Sequence, residues 1–220
     1  MQRKISPLHI VALVVTSLIF IVGLLLGWQM GYTAESQMKS DFEGLQSENY
    51  MLEVLSLMRG RGEMGCPVLE TQFFMLSQKT TDYGSRLEYM EKQLGKLDPK
   101  VMALKSDYSL MQLRNYLLLK DTDESCGSRH IAILYFYTNE GYSVNTDQGI
   151  ALDDALLQLP EIRDRAMIYH FDVNVKNSIV DALKEQYSVS KVPMLIINGK
   201  KYEGFLNAER CKGILAQDGG

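Results

Sequence analysis

The chain is poor in the residues that most chemistry needs: its 220 positions hold three cysteines, three histidines and one tryptophan. His130 and His170 have no second ligand at metal-binding spacing and His9 falls in an apolar run, so structural or surface roles are expected and no metal or other cofactor is expected. No Gly-rich phosphate loop, Ser-His-Asp context or Glu-x-x-His pair occurs, and Asp153-Asp154 reads as a solvated helix face rather than an acid/base pair. Basic residues number 23 against 27 acidic ones, a net charge of −4, and no basic patch or interleaved aromatic-basic run is present, so no nucleic-acid partner is expected. The cysteines at 66, 126 and 211 nowhere form a Cys-x-x-Cys. The length allows one full domain and an appendage.

What is present begins with an apolar run. Leu8 to Met30 carries no charge and, at about 23 residues, is long enough for roughly 30 Å of hydrocarbon. A cleaved signal peptide is the competing reading, but its apolar core would be roughly 7 to 15 residues and a small-x-small site would follow it. The expectation is a single-pass transmembrane helix over 8–31, a signal anchor. Arg3 and Lys4 precede it, whereas Glu35, Asp41, Glu43 and Glu48 outweigh Lys39 behind it, which places residues 1–7 in the cytoplasm and the rest of the chain outside. Trp28 and Tyr32 stand where an interfacial belt falls. Gly23, Gly27 and Gly31 recur at the spacing that lets two spans approach closely, as in a homodimer, although glycine is also simply common in spans.

Over 32–60 the composition turns to Glu, Gln, Ser and Leu, with Met38, Phe42, Leu45, Asn49 and Leu52 in heptad-like spacing. A paired coiled-coil stalk and a single helix lying on the same chain both fit that pattern. Arg59 to Gly65 holds three glycines and reads as a hinge. The segment 66–126 then reads as an antiparallel helical hairpin. Its first helix opens at Cys66-Pro67 and repeats Leu69, Phe73, Leu76, Thr80, Tyr83, Leu87, Met90, Leu94 and Leu97 in alternating steps of four and three. Asp98-Pro99 caps the second, which carries Val101, Leu104, Tyr108, Met111 and Leu118 inward. A solvated stalk or core hairpin without chemistry is expected. Cys66 and Cys126 each lie about thirty residues from the turn, which at ~1.5 Å per helical residue returns both to one end. They are expected to form a structural disulfide, worth about 4 kcal/mol on the chain-entropy account. Cys211 is expected to be a small buried hydrophobe.

The last ninety or so residues alternate strands and helices. Ile131 to Tyr137 and Ala166 to Phe171 read as buried strands. Asp147 to Leu159 reads as a helix with Ile150, Ala151, Ala155, Leu156 and Leu159 inward and Pro160 as its stop, and Asn177 to Tyr187 as another with Ile179, Val180, Leu183 and Tyr187 inward. Met194 to Ile197 and Lys201 to Phe205 flank Asn198-Gly199, the strongest two-residue hairpin signal. Asn207 caps a final helix through Cys211 and Leu215. This order, with Val192-Pro193 opening the third strand, resembles the thioredoxin superfamily, over roughly residues 129 to 216. The resemblance implies an α/β fold: a minimal βαβαββα domain over 127–216 with a four-stranded mixed sheet, and a cis proline packed beside an active-site loop.

The family's chemistry would sit after the first strand, in a Cys-x-x-Cys whose first thiol is acidified at a helix N-terminus. Residues 138–149 contain no cysteine, so dithiol exchange at that place is excluded by composition. Tyr142, Ser143, Asn145 and Thr146 occupy the loop that faces substrate in the resembled family, and with Val192 and Pro193 they form the candidate peptide-binding surface; an ordinary polar turn and helix cap would use the same loop residues. The leading reading is a redox-inactive, membrane-tethered thioredoxin-like module that holds a polypeptide partner. An oxidoreductase working through Cys126 or Cys211, and a purely structural dimeric spacer, are the alternatives.

Overall fold

The computed structural model describes residues 11–27, 36, 40, 65–140 and 144–218. The expected cytoplasmic segment 1–7, the seam at Met38, Phe42, Leu45, Asn49 and Leu52, the hinge over 59–64, and Gly31, Trp28, Tyr32, Tyr142 and Ser143 lie outside the described residues. The chain divides into two units, Met1–Asn49 and Tyr50–Gly220. In the first, residues 11–27 are helical, with apolar side chains such as Leu13 and Phe20 exposed. Among the described residues no helix is long and apolar enough to cross a membrane, so the span expected over 8–31 is seen only as helix over 11–27.

The second unit opens with two long helices. Helix α1, Gly65–Leu94, buries Phe73, Leu76, Thr80, Tyr83, Leu87 and Met90, the stripe expected from its spacing. The stripe ends there: Leu94 and Leu97 are exposed, because the chain turns at Gly95 and leaves no helix opposite them. Helix α2, Pro99–Cys126, starts at Asp98, whose side chain accepts the Lys100 N–H at 2.8 Å. It buries two adjacent stripes. Val101, Leu104, Met111 and Leu118 of the expected stripe are buried while its Tyr108 is half-buried, and Lys105, Ser109, Gln112, Asn115 and Leu119 form a second, because α2 packs on α1 and also on the sheet. The hairpin is therefore part of the core and not a solvated stalk. Hairpin and sheet fall in one unit.

Strand β1, Ile131–Tyr137, is buried at six of seven positions, as an interior strand covered on both faces must be. Its parallel neighbour β2, Ala166–Asp172, is in register from Ile131↔Ala166 to Tyr137↔Asp172. Strand β3, Met194–Ile197, runs antiparallel to β1, and β4, Lys200–Glu203, antiparallel to β3, giving the order β2-β1-β3-β4. Asn198 and Gly199 both have positive φ, 47° and 84°, the type I′ geometry expected of this pair. The Asn198 amide oxygen also accepts the Ala132 N–H at 3.1 Å, tying the turn to β1.

Between β1 and β2 lie α3, Val144–Leu157, and the short α4, Pro160–Arg163. The expected stop at Pro160 is corrected: α3 ends three residues earlier and Pro160 opens α4 at the first helical position, where it lacks no needed N–H. The buried face of α3 is also rotated from expectation. Ile150 is 55% exposed while Leu152 is fully buried, because the inward stripe runs Gln148, Ala151, Leu152, Ala155 and Leu156. Helix α5, Ser178–Gln186, buries Val180 and Leu183 and is capped by Asn177, and α6, Ala208–Asp218, is started by Asn207 accepting the Arg210 N–H. On one side of the sheet Ile131, Ile133 and Tyr135 meet Leu152, Ala155, Cys211 and Leu215 of α3 and α6 in one apolar cluster. Full burial of each aliphatic side chain there contributes about 1.5–3 kcal/mol. On the other, Phe136 stacks on Phe171 and leans on Tyr187 behind α5.

Candidate functional site

The Val192-Pro193 bond is cis, with Pro193 buried, Val192 half-buried, and the Pro193 carbonyl accepting the Gly204 N–H at 2.9 Å. Gly204, the residue after β4, thus holds the proline, while Val192 stays half-buried just before it. Asn145 and Thr146 lie in the first turn of α3. The four-stranded mixed sheet and the cis proline opening β3 are what the resemblance implied; the order is β2-β1-β3-β4, with β1 and β2 parallel and β3 antiparallel to both β1 and β4.

The fold is thioredoxin-like. No family model matches the chain and no curated protein matches it. Among solved structures, the crystal structure of chloroplastic thioredoxin z is similar at 16% identity and a TM-score of 0.35, over 46% of this chain and 88% of that one. A likeness that low adds no weight; the strand order and orientation given above stand without it.

The thiols are disposed as the sequence suggested. Cys66 and Cys126 are at disulfide distance, with Cα atoms 5.4 Å apart, at the open end of the hairpin. Beside them the His130 Nδ1 lies 2.6 Å from Asp123 Oδ1, and its ring is 5.1 Å from that of Phe73, so this histidine joins the hairpin base to the approach to β1. Cys211 is fully buried, and burial pushes its thiol pKa up. Its neighbour Gln148, also fully buried, donates to the Leu206 carbonyl at 3.1 Å and accepts the Leu206 N–H at 2.7 Å, fastening α3 to the segment after β4. A thiol that is buried with a raised pKa is a poor nucleophile.

A second feature was missed by the sequence reading. Where α2 meets β2, the Lys105 ammonium, 2% exposed, lies 2.8 Å from Asp172 Oδ2 and 2.9 Å from Glu91 Oε1, and it donates to the Lys96 carbonyl at 3.3 Å. Asp172 also accepts the Asn139 amide at 3.0 Å and the Asn174 N–H at 3.1 Å. One lysine thus joins both helices of the hairpin to the end of β2, where Asn139 from the segment after β1 also bonds.

Beside this cluster a cleft of about 440 Å³ opens between α1, α2 and β2. Its α1 wall carries Ser77, Thr81, Gly84 and Ser85, and its floor carries Tyr108, Gln112, Asn115, Tyr137, Tyr169 and His170. The Asn115 amide oxygen accepts the Tyr169 hydroxyl at 3.0 Å, and its nitrogen donates to Ser77 Oγ at 3.1 Å. Burial raises the Tyr108 pKa to about 12, partly offset by a hydrogen bond with Gln112, and raises those of Tyr137 and Tyr169 further. These phenols stay protonated. His170, edge-on to Tyr135 at 5.7 Å, has its pKa pushed down to about 4 by burial and is neutral at pH 7. Lys105, Ser109, Gln112 and Asn115 form a polar stripe one step round α2 from the apolar one, which by spacing alone reads as a solvated face although the structure buries it.

Proposed function

We propose that the chain is a membrane-tethered, redox-inactive thioredoxin-like module that holds a polypeptide partner outside the cytoplasm. The observation that carries this reading is the cis Val192-Pro193 bond that opens β3, in a chain whose segment 138–149 contains no cysteine. In an edge of this kind the residue before the proline presents its backbone to an extended chain, a strand-addition mode that needs no thiol. Tyr142, Ser143, Asn145 and Thr146 complete the surface in this reading. Disulfide exchange through the remaining cysteines is disfavoured, because Cys211 is buried with a raised pKa and Cys126 is at disulfide distance from Cys66.

The tether is the apolar segment 8–31, its orientation taken from the charges on either side. Gly23 and Gly27, with Gly31, recur at the spacing that lets two spans approach closely in a homodimer. In a pull-down from membranes, Val192→Asp should reduce partner capture at least tenfold while leaving the melting temperature within about 2 °C of wild type. Equal capture by the two proteins would refute the assignment of this edge.

A further inference from the structure

The cleft beside the Lys105 cluster has a chemistry of its own. Along its α1 wall the hydroxyls use their protons within the protein: Thr81 donates to the Ser77 carbonyl at 3.0 Å and Ser85 to the Thr81 carbonyl at 3.1 Å. Their oxygen lone pairs remain as acceptors along the wall. The two carboxylates near the mouth are compensated, Glu88 by Lys92 at 2.6 Å and Glu91 by Lys105 at 2.9 Å. Opposite stand the half-buried phenols of Tyr108 and Tyr137, which supply ring surface with a polar tip, over buried Gln112, Asn115 and Tyr169. At position 84 a Cβ would lie 2.7 Å from the Tyr108 hydroxyl, so glycine is what lets that phenol rest against α1 and shape the floor.

An anionic ligand would find no cation here that is not already engaged by carboxylates. A cationic one would find both carboxylates already paired. A neutral ligand with several O–H donors and an apolar ring face matches both walls, and about 440 Å³ falls within the roughly 300–1,000 Å³ of small-molecule sites. We infer that this cleft binds a small neutral polyhydroxylated molecule of the sugar class, independently of the Val192-Pro193 edge.

The test is saturation-transfer NMR on the full-length chain in a zwitterionic, sugar-free detergent, with glucose, N-acetylglucosamine and maltose as probes and spermidine and inorganic phosphate alongside. Ser85 is exposed at the mouth, so Ser85→Trp should fill the cleft without disturbing the core. Transfer to at least one sugar is expected, reduced tenfold or more in Ser85→Trp and kept in Ser85→Thr, with the circular dichroism melt unchanged. Should Ser85→Trp fail to fold, Thr81→Phe replaces it with the same expectation. No transfer to any of the sugars, transfer to spermidine or phosphate in their place, or sugar signals unchanged by the blocking variant would each overturn the inference.

Discussion

On one side of β1, Ile131, Ile133 and Tyr135 meet Leu152, Ala155 and Leu215 in an all-apolar cluster; at the β2 edge, α2 sets Lys105 and Asn115 against Asp172 and Tyr169. The first region is held by area removed from water, a non-directional force that tolerates changes of shape. The second is held by groups that each need a named partner, and losing one strands the others in a medium that solvates them poorly. The difference explains why the hairpin cannot be regarded as a spacer attached to a finished domain. It covers the edge strand β2 and supplies the charge that neutralises Asp172.

The contrast breaks most visibly at Lys105. Lys105→Met leaves Asp172 and Glu91 facing each other without a cation and is expected to cost about 3–5 kcal/mol in urea unfolding, whereas Leu152→Met on the apolar side should cost less than about 1.5 kcal/mol. The triple variant Lys105→Met, Glu91→Gln, Asp172→Asn should recover most of the loss. A loss below about 1 kcal/mol for Lys105→Met alone would show that the two regions do not differ as described. Opening the hairpin base with Cys66→Ser and Cys126→Ser comes next, at about 2–4 kcal/mol, measured under nonreducing conditions. A maleimide gel-shift on the denatured, unreduced wild type should label one thiol, Cys211.

The pH dependence sharpens the same comparison. A histidine with a pKa near 4 in the folded protein and about 6.5 unfolded binds its proton more readily when unfolded, so its contribution is complete above about pH 6.5 and is lost as pH falls toward 4. The loss should be on the order of 2 kcal/mol, less than the full shift implies because the ring is only half-buried. Stability profiles of wild type and His170→Gln should therefore converge or cross as pH falls from 6.5 to 4, and parallel profiles would count against the burial of this ring.

What the sequence disclosed follows the same division. The stripe on α1, the chain order of strands and helices, the Asn198-Gly199 turn, the Asp98, Asn177 and Asn207 caps and the Cys66–Cys126 proximity were legible because each depends on local spacing, on turn chemistry or on helix length. Ile150 was misplaced because hydropathy alone cannot tell which of two neighbouring stripes faces the sheet when buried Gln148 is polar. The Lys105 cluster and the cleft were not legible, since Lys105 and Asp172 are 67 positions apart and nothing local marks either as buried. Of the candidate peptide-binding surface, the sequence supplied the cis proline and the missing cysteines, and both depend on short-range reading.

A scaffold that holds a chain without exchanging sulfur with it is tested most directly by placing a photo-crosslinking benzoylphenylalanine at Val192 in the full-length protein and irradiating it in membranes. The account predicts a crosslinked polypeptide whose yield is unchanged by dithiothreitol and by replacing all three cysteines with serine. A partner captured only through a reducible bond, or lost in the cysteine-free variant, would contradict it.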